Sequence, residues 1–112
     1  MTKNLDKDGF RTIVDNYQLF YIDLWGVVHN GITLHKDAIK TIKEITKKNK
    51  DYILLTNAPR PNNTVKSFLE KMGLEKEIRD HVFTSGQASL NYLKQNLSTK
   101  KFFHVGPPRD FD

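Results

Sequence analysis

One short apolar run near the start of the chain does most to restrict the fold. The run from Leu19 to Ile22 leads to a single carboxylate, Asp23, and Gly26 then lets the chain bend away. An apolar run of this length, bounded by a glycine turn and followed by a helical pattern, predicts a buried strand of a parallel sheet. Ligands of open α/β sheets bind beyond the carboxyl ends of the strands. Asp23 is therefore expected where a carboxylate can attack a substrate or hold a cation.

The rest of the chain repeats this alternation of strand-like and helix-like patterns. Strands are predicted at residues 18–24, 51–57, 82–84 and 101–105, the last one ending at the Gly-Pro-Pro break of residues 106–108. Helices are predicted at 9–17, 36–49, 62–72 and 85–96, with a loop or small hairpin at 25–35 and a turn at 78–81. Strands that alternate with helices of this length favour a parallel sheet. The predicted fold class is α/β, a Rossmann-like parallel sheet with flanking helices and about four strands.

Spacing and breakers also predict which residues begin, end and bury the helices. Spacing predicts the inward face of the second helix (Ala38, Ile39, Ile42 and Ile45) and of the third (Val65, Phe68, Leu69 and Met72). Gly73 is placed to follow the end of the third helix. Asn62 or Asn63 can cap the start of the third helix. Ser85 is the expected cap of the last helix, whose predicted inward residues are Ala88, Leu90 and Leu93.

The length and composition fit a single ordinary domain. With 112 residues, 38% hydrophobic and 28% charged, the chain has enough apolar residues for one modest core. A four-stranded sheet leaves an edge that a complete domain covers, so we expect residues 1–112 to be the N-terminal part of a larger core. No apolar run approaches the roughly 20 residues that span a bilayer. The N-terminus lacks the apolar segment of a secretory signal, so a cytoplasmic protein without a membrane partner is expected.

The charge and the absence of cysteine bear on possible partners. The formal net charge is +5 and the pI is near 9.5, which raises the question of nucleic acid. The excess is mainly lysine spread along helical faces, and no basic stripe alternates with aromatic residues. Compositional drift accounts for this better than a nucleic-acid surface, so no nucleic-acid partner is expected. Because there is no cysteine, disulfides and thiolate metal sites are excluded.

Two of the predicted strands end in polar side chains that can act together. Asp23 ends the first strand, and Thr56 and Asn57 end the second. If these strands are neighbours, both ends face one crevice. A carboxylate beside a hydroxyl and an amide can build a phosphoryl-transfer site, in which the hydroxyl donates to a phosphate oxygen. An anionic nucleophile that approaches a phosphate calls for a divalent cation, and Mg²⁺ suits hard oxygen ligands.

These residues resemble the motifs of the haloacid dehalogenase-like hydrolases, class IIA, which are phosphatases with a type-2 cap. The matching segments are 20–31 for the first motif, 53–57 for the second, and the stretches 34–38, 73–74, 82–85 and 102–106 in the order of that class. The resemblance implies a Mg²⁺-dependent hydrolase that acts on a small phosphorylated metabolite through an aspartyl phosphate. It assigns Asp23 as the nucleophile and as a Mg²⁺ ligand, together with the backbone carbonyl of Trp25. Thr56, Asn57 and Arg60 would bind the phosphate or lie near the substrate.

The chain departs from the family pattern at Trp25. Most family phosphatases have a second Asp two residues after the nucleophile, where it protonates the leaving oxygen. An indole cannot transfer that proton, although a class IIA subgroup carries the same Asp-Leu-Trp-Gly sequence. General acid–base assistance contributes roughly 10²–10⁴ in rate. The resemblance therefore implies slow turnover or an activated substrate, and His29, in a loop expected to be flexible, is one hypothetical substitute acid.

The second departure is the absence of later motifs. The family's Lys, its second acidic pair and its cap have no counterpart in this sequence, so we expect the chain alone to be inactive. The alternative is a degenerate or truncated protein that binds a phosphate ligand or a partner without catalysis. Ordinary structural roles also stay open: a loop-bonding Asp23, a turn at Thr56 and Asn57, a solvated Arg60, a Trp25 packed at the crevice floor, and surface histidines.

Overall fold

Three of the apolar runs form a parallel sheet in the computed structural model, which describes residues 4–108. The strands are β1 (Leu19–Asp23), β2 (Asp51–Thr56) and β3 (Val82–Thr84), in the order β1-β2-β3. In the register, Leu19 lies opposite Asp51 and Asp23 lies opposite Leu55. Thr56 of β2 lies opposite Thr84 of β3. The α/β class with parallel strands, expected from the alternation of patterns, is confirmed.

Helices precede, connect and follow the strands in the described part of the chain. They are α1 (Leu5–Asp8), α2 (Lys36–Lys47), α3 (Asn62–Lys71), α4 (Lys76–Arg79) and α5 (Ser85–Asn96). Gly73 follows the cap residue of α3 with φ +87°, a conformation in which glycine carries no steric penalty, as its predicted place requires.

The core lies on one face of the sheet. Strand residues of alternate parity are buried there, and α2, α3 and α4 contribute to the same cluster. The buried residues of this cluster include Leu24, Ile42, Ile45, Tyr52, Leu54, Leu69, Leu74, Ile78 and Val82. Of the predicted inward residues, Ile42, Ile45 and Leu69 are buried, and the others are half-buried except Phe68. The prediction for Phe68 is wrong, since it is 43% exposed.

The opposite face of the sheet is uncovered in the described part of the chain. Leu19 is 45% exposed, Tyr21 68% and Leu55 42%. Parallel sheets are usually buried on both faces, so this half-exposed sheet is unusual. Asp23 lies on the exposed face at the carboxyl end of β1, because side chains alternate along a strand.

The predicted fourth strand is wrong. Residues 101–105 pair with no strand within the described range, and Phe103 and Val105 are 92% and 89% exposed. A strand needs a neighbour for its backbone groups, and neither edge of the three-stranded sheet takes this segment as a partner.

Several local predictions also need correction. The leading helix at 9–17 is instead two 3₁₀ turns, Phe10–Thr12 and Val14–Asn16, after a break at Gly9. The turn at 78–81 includes the end of α4. The N-cap position of α3 is Pro61, and no side chain caps this helix, so the predicted cap at Asn62 or Asn63 is wrong. The Asn62 side chain instead accepts a hydrogen bond from the Thr84 amide.

The prediction for α5 is wrong about burial and about its cap. No residue of α5 is fully buried, Ala88 and Leu90 are exposed, and Leu93 is only half-buried. Its N-cap is Thr84, whose hydroxyl accepts from the Gln87 amide at 2.9 Å. Among residues 4–108, no helix combines the length and apolar character needed to cross a membrane.

Candidate active site

A cleft at the carboxyl ends of β1 and β2 brings three of the predicted site residues together. Its volume is about 590 Å³. The lining residues are Tyr21, Asp23, Leu55, Thr56, Asn57 and Ser85. Direct pairing of β1 with β2 is what joins Asp23 to Thr56 and Asn57 across 33 positions of sequence.

Asp23 presents its carboxylate to solvent at the end of β1. One oxygen, Oδ1, accepts a hydrogen bond from the backbone N–H of Leu24 at 2.8 Å. That bond fixes the orientation of the carboxylate and leaves Oδ2 outside it. An exposed carboxylate held in one orientation can act as a nucleophile or as an oxygen ligand.

Thr56 ends β2, one residue beyond the position opposite Asp23, and is nearly buried, at 8% exposure. Its Oγ1 accepts from the Ala58 amide at 3.4 Å. A hydroxyl that accepts through a lone pair still has its proton to donate. Thr56 is therefore placed to donate a hydrogen bond into the cleft that it shares with Asp23.

The loop that follows Asp23 is closely tied by backbone hydrogen bonds. The Leu24 carbonyl accepts from the amides of Val28 and His29, at 2.9 and 3.1 Å. The Gly26 amide donates to the His29 carbonyl at 2.8 Å, and the His35 amide donates to the Val28 carbonyl at 2.8 Å. The segment expected as a loop or small hairpin is thus a hydrogen-bonded turn, in which His29 forms isolated β-bridges with Trp25 and with Leu34.

Trp25 packs on this loop and does not line the cleft. Its six-membered ring lies over Gly31, so closely that a Cβ at residue 31 would come within 2.5 Å of the indole. The ring also meets His29 edge to face, with centroids 5.3 Å apart. Since Trp25 is still 64% exposed, the interpretation as a residue of the crevice floor is wrong; its ring packs against the turn.

His29 is buried, which contradicts both its surface placement and its place in a flexible loop. It is 2% exposed and lies between the rings of Trp25 and Phe68. Its Nδ1 accepts from the Gly31 amide at 2.9 Å. Burial lowers the pKa of the imidazole below its ordinary value of 6.5, and the charge of His35 lowers it further, while Asp23 acts in the opposite direction. This geometry suits a neutral, structural histidine rather than a substitute acid.

Arg60 is half-buried in the turn after β2, outside the residues that line the cleft. Its backbone carbonyl accepts from the Thr84 hydroxyl at 2.5 Å. Ser85 is a cleft residue that the sequence analysis did not select. Its position directly after a strand end, like that of Asn57, was a signal that could have identified it.

The donors near Asp23 are compatible with a hydrated cation. The Asp23 carboxylate and the Trp25 backbone carbonyl supply two hard oxygen atoms. Within residues 4–108, no three acidic or histidine side chains gather into a complete metal cage. Mg²⁺ usually keeps several waters and takes only one or two carboxylates, so the single carboxylate of Asp23 in the cleft is compatible with such an ion.

Comparison with known proteins gives concordant matches. A family model described as haloacid dehalogenase-like hydrolase matches residues 20–111. Phosphoglycolate phosphatase 2 of Arabidopsis thaliana is 31% identical over 110 residues, covering 91% of this chain and 35% of the relative. A haloacid dehalogenase-like hydrolase structure from Brucella suis superposes with a TM-score of 0.69 at 31% identity, covering 86% of this chain and 35% of the other.

A more distant structure supports the fold. The 4-nitrophenylphosphatase of Thermotoga maritima has a TM-score of 0.63 at 22% identity, with 76% of this chain and 33% of that chain covered. In each of these comparisons, the chain spans about a third of the relative's length.

Proposed function

Because this chain belongs to the haloacid dehalogenase-like hydrolases, we propose that it forms the N-terminal part of a phosphatase of small phosphorylated metabolites. The nucleophile is Asp23. The observation that carries the proposal is the shared cleft, in which the Asp23 carboxylate lies beside Thr56 and Asn57 at the ends of adjacent parallel strands. The first substrates to test are phosphoglycolate and p-nitrophenyl phosphate, after which similar proteins are named.

The proposed reaction has two steps. In the first, an oxygen of Asp23 bonds to phosphorus while the ester P–O bond breaks. Thr56 donates a hydrogen bond to a phosphoryl oxygen, with Asn57 and Arg60 near the substrate. In the second step, water attacks the aspartyl phosphate at phosphorus, which releases inorganic phosphate and restores the carboxylate.

Mg²⁺ is the proposed cofactor. The Asp23 carboxylate and the Trp25 carbonyl would hold it, and it would offset the repulsion between the carboxylate and the phosphate. Asp23 then serves both as ligand and as nucleophile, through different oxygens.

Trp25 restricts the class of substrate that we propose. An indole donates no proton to a leaving oxygen at neutral pH, and His29 is buried with Nδ1 already accepting a hydrogen bond. The leaving oxygen therefore takes its proton from solvent. Esters and anhydrides whose leaving groups are stable as anions are the substrates that this site suits best.

The test compares Asp23→Asn with Asp51→Asn in the natural full-length protein. Asn keeps the size of the side chain but is a far weaker nucleophile, so we expect hydrolysis with Mg²⁺ to fall below detection in Asp23→Asn. Asp51 is also an exposed strand Asp, but it begins β2 at the opposite end of the sheet, so Asp51→Asn should retain wild-type rates. Equal rates in wild type and Asp23→Asn would contradict the proposal.

A second candidate is a phosphate-binding protein without catalysis, which Trp25 in place of an acid favours. It predicts calorimetric binding of orthophosphate or a phosphate ester with no turnover of any substrate in the panel. Binding without release of phosphate would favour this candidate over the enzyme.

A further inference from the structure

A set of hydrogen bonds joins the start of α5 to the turn after β2. The Ala58 carbonyl accepts both the Ser85 hydroxyl, at 3.0 Å, and the Gly86 amide, at 3.1 Å. Ser85 also lines the cleft, so one residue contacts both the cleft and the turn that leaves it.

Three more bonds extend the connection to the beginning of α3. The Thr84 hydroxyl donates to the Arg60 carbonyl, and the Thr84 amide donates to the Asn62 side chain at 2.9 Å. The Asn62 amide in turn donates to Gln87 at 3.2 Å. Five hydrogen bonds therefore hold residues 58–62 against residues 84–87.

Gly86 makes this contact possible because the two backbones touch. A Cβ on residue 86 would lie 2.4 Å from the Arg60 amide nitrogen and 2.6 Å from the Arg60 oxygen and the Pro59 carbonyl carbon. All three atoms are backbone, so no side-chain rotation relieves the clash. A larger residue at 86 must move the turn itself.

The turn at residues 57–61 has few backbone N–H groups with which to hold its own shape. Pro59 and Pro61 have no N–H to donate, and residues 57–61 form no helix or strand. The Ala58 carbonyl is held by Ser85 and Gly86 of α5, and the Arg60 carbonyl by Thr84 at the end of β3. The position of Asn57, and of the chain next to Thr56, thus depends on residues 84–87.

We propose that Ser85 and Gly86 are positioning residues for phosphate binding, because they fix the turn that follows Thr56 and carries Asn57. This inference rests on the proposed function, in which Thr56 and Asn57 contact the phosphate. Neither Ser85 nor Gly86 needs to touch the substrate. A displacement of about 1 Å at a site of this kind can cost about 10²-fold in rate.

The experiment measures orthophosphate binding by calorimetry, with Mg²⁺, in the natural full-length protein. Gly86→Ala should weaken binding by about tenfold or more, since it displaces the turn. Ser85→Ala removes one hydrogen bond without a clash and should weaken binding by about threefold to tenfold. Ser89→Ala is the matched control, because Ser89 lies one turn further along α5, is exposed and bonds only within the helix at 3.0 Å. Its binding should match wild type.

The measured constants distinguish a purely structural role of Ser85 and Gly86 from the proposed positioning role. Partial unfolding lowers the number of binding sites and the maximal rate but leaves the phosphate dissociation constant, KM and the inhibition constant unchanged. The proposal expects those constants to rise in folded protein, and Ser85→Thr, which keeps the hydroxyl, to restore them. If Gly86→Ala does not fold, Ser85→Ala and Ser85→Thr carry the test.

Failure of this inference can be told from failure of the proposed function. Unchanged phosphate constants in folded Ser85→Ala and Gly86→Ala would overturn the inference while leaving Asp23 as nucleophile. Equal turnover in wild type and Asp23→Asn would overturn the function, whereas the calorimetric comparison still decides the positioning role. A wild-type protein that binds no phosphate would overturn both.

Discussion

At the scale of single residues, Trp25 in the turn after Asp23 depends on its two neighbours Gly31 and His29. Trp25 stands two residues after Asp23, where the family resemblance implies an acid, and its ring needs Gly31 to have no side chain. His29 supports the same ring from the side and accepts the Gly31 amide. The residue that departs from the pattern is thus built into a packed cluster of Trp25, His29 and Gly31.

This cluster predicts a spectroscopic effect of Gly31→Ala. The new methyl group would overlap the indole, so the ring must leave its position and meet more solvent. Because Trp25 is the only tryptophan, intrinsic fluorescence reports on it alone. We expect a red-shifted emission and stronger acrylamide quenching.

Gly26→Ala is the matched control for that experiment. Gly26 has φ +76° and Gly31 has φ +91°, so both substitutions introduce backbone strain of about 1–2 kcal/mol. Only the Cβ added at Gly31 meets another residue, because nothing lies within 4 Å of a Cβ added at Gly26. Gly26→Ala should therefore lower stability but leave emission unchanged; a red shift of similar size in both variants would argue against ring displacement.

The buried imidazole predicts a pH effect on stability. The pKa of His29 is lowered in the folded protein, mainly by burial, so near and below its ordinary value of 6.5 the unfolded chain binds more protons than the folded one. Stability should be full above pH 6.5 and decline as pH falls toward the folded pKa. Thermal unfolding at pH 7.5, 6.5 and 5.5 measures the decline.

The contribution of His29 can be isolated with two variants. His29→Gln keeps an acceptor for the Gly31 amide but does not titrate, so its stability should depend less on pH in this range. His29→Asn, a second side chain that does not titrate, should show the same reduced dependence. A slope that is unchanged in His29→Gln would show that another group causes the decline.

At the scale of elements, periodic patterns were reliable where an element packs against the core. The isoleucines of α2 repeat at helical spacing, and Ile42 and Ile45 are buried as that spacing predicts. The run before Asp23 is likewise a strand with the predicted neighbour. Hydrophobic period and burial have the same physical cause in these elements, so the sequence was sufficient.

The prediction failed where an element lacks a partner. The helix α5 has apolar residues at helical spacing, yet Leu90 is 37% exposed, and residues 101–105 form no strand. A pattern states that a face is apolar but not what covers it. Strand formation also depends on pairing with a sheet edge. That pairing is a tertiary property, which the sequence of 101–105 does not reveal.

The candidate site was only partly predictable for a related reason. Strand ends that carry polar residues are visible in the sequence, and Asp23, Thr56 and Asn57 do share a cleft. The close approach of Gly86 to Arg60 arises from two segments folded together. Nothing in the local sequence of either segment indicates that contact.

At the scale of the whole molecule, the sheet has one packed face and one open face. The open face carries Leu19, Tyr21 and Leu55, all more than 40% exposed, and half-buried Ile53 and Phe83. Contiguous apolar surface of this kind is uncommon on soluble domains. The cleft with Asp23 opens at the end of that same face, since Tyr21 and Leu55 line it.

The open face predicts that the 112-residue chain binds a hydrophobic dye while folded. Anilinonaphthalene sulfonate should fluoresce with the native chain, and the signal should fall in Leu19→Lys with Leu55→Gln, because both changes remove apolar area from this face. The register places residue 19 opposite Asp51, so the new lysine gains an opposite charge and the sheet is retained. Ile32→Gln is the control, since Ile32 is 82% exposed in the turn after Asp23 and lies outside the sheet. If the dye signal falls equally in the control, or stays unchanged in the double variant with its circular dichroism intact, the dye binds elsewhere and the open face is covered in solution.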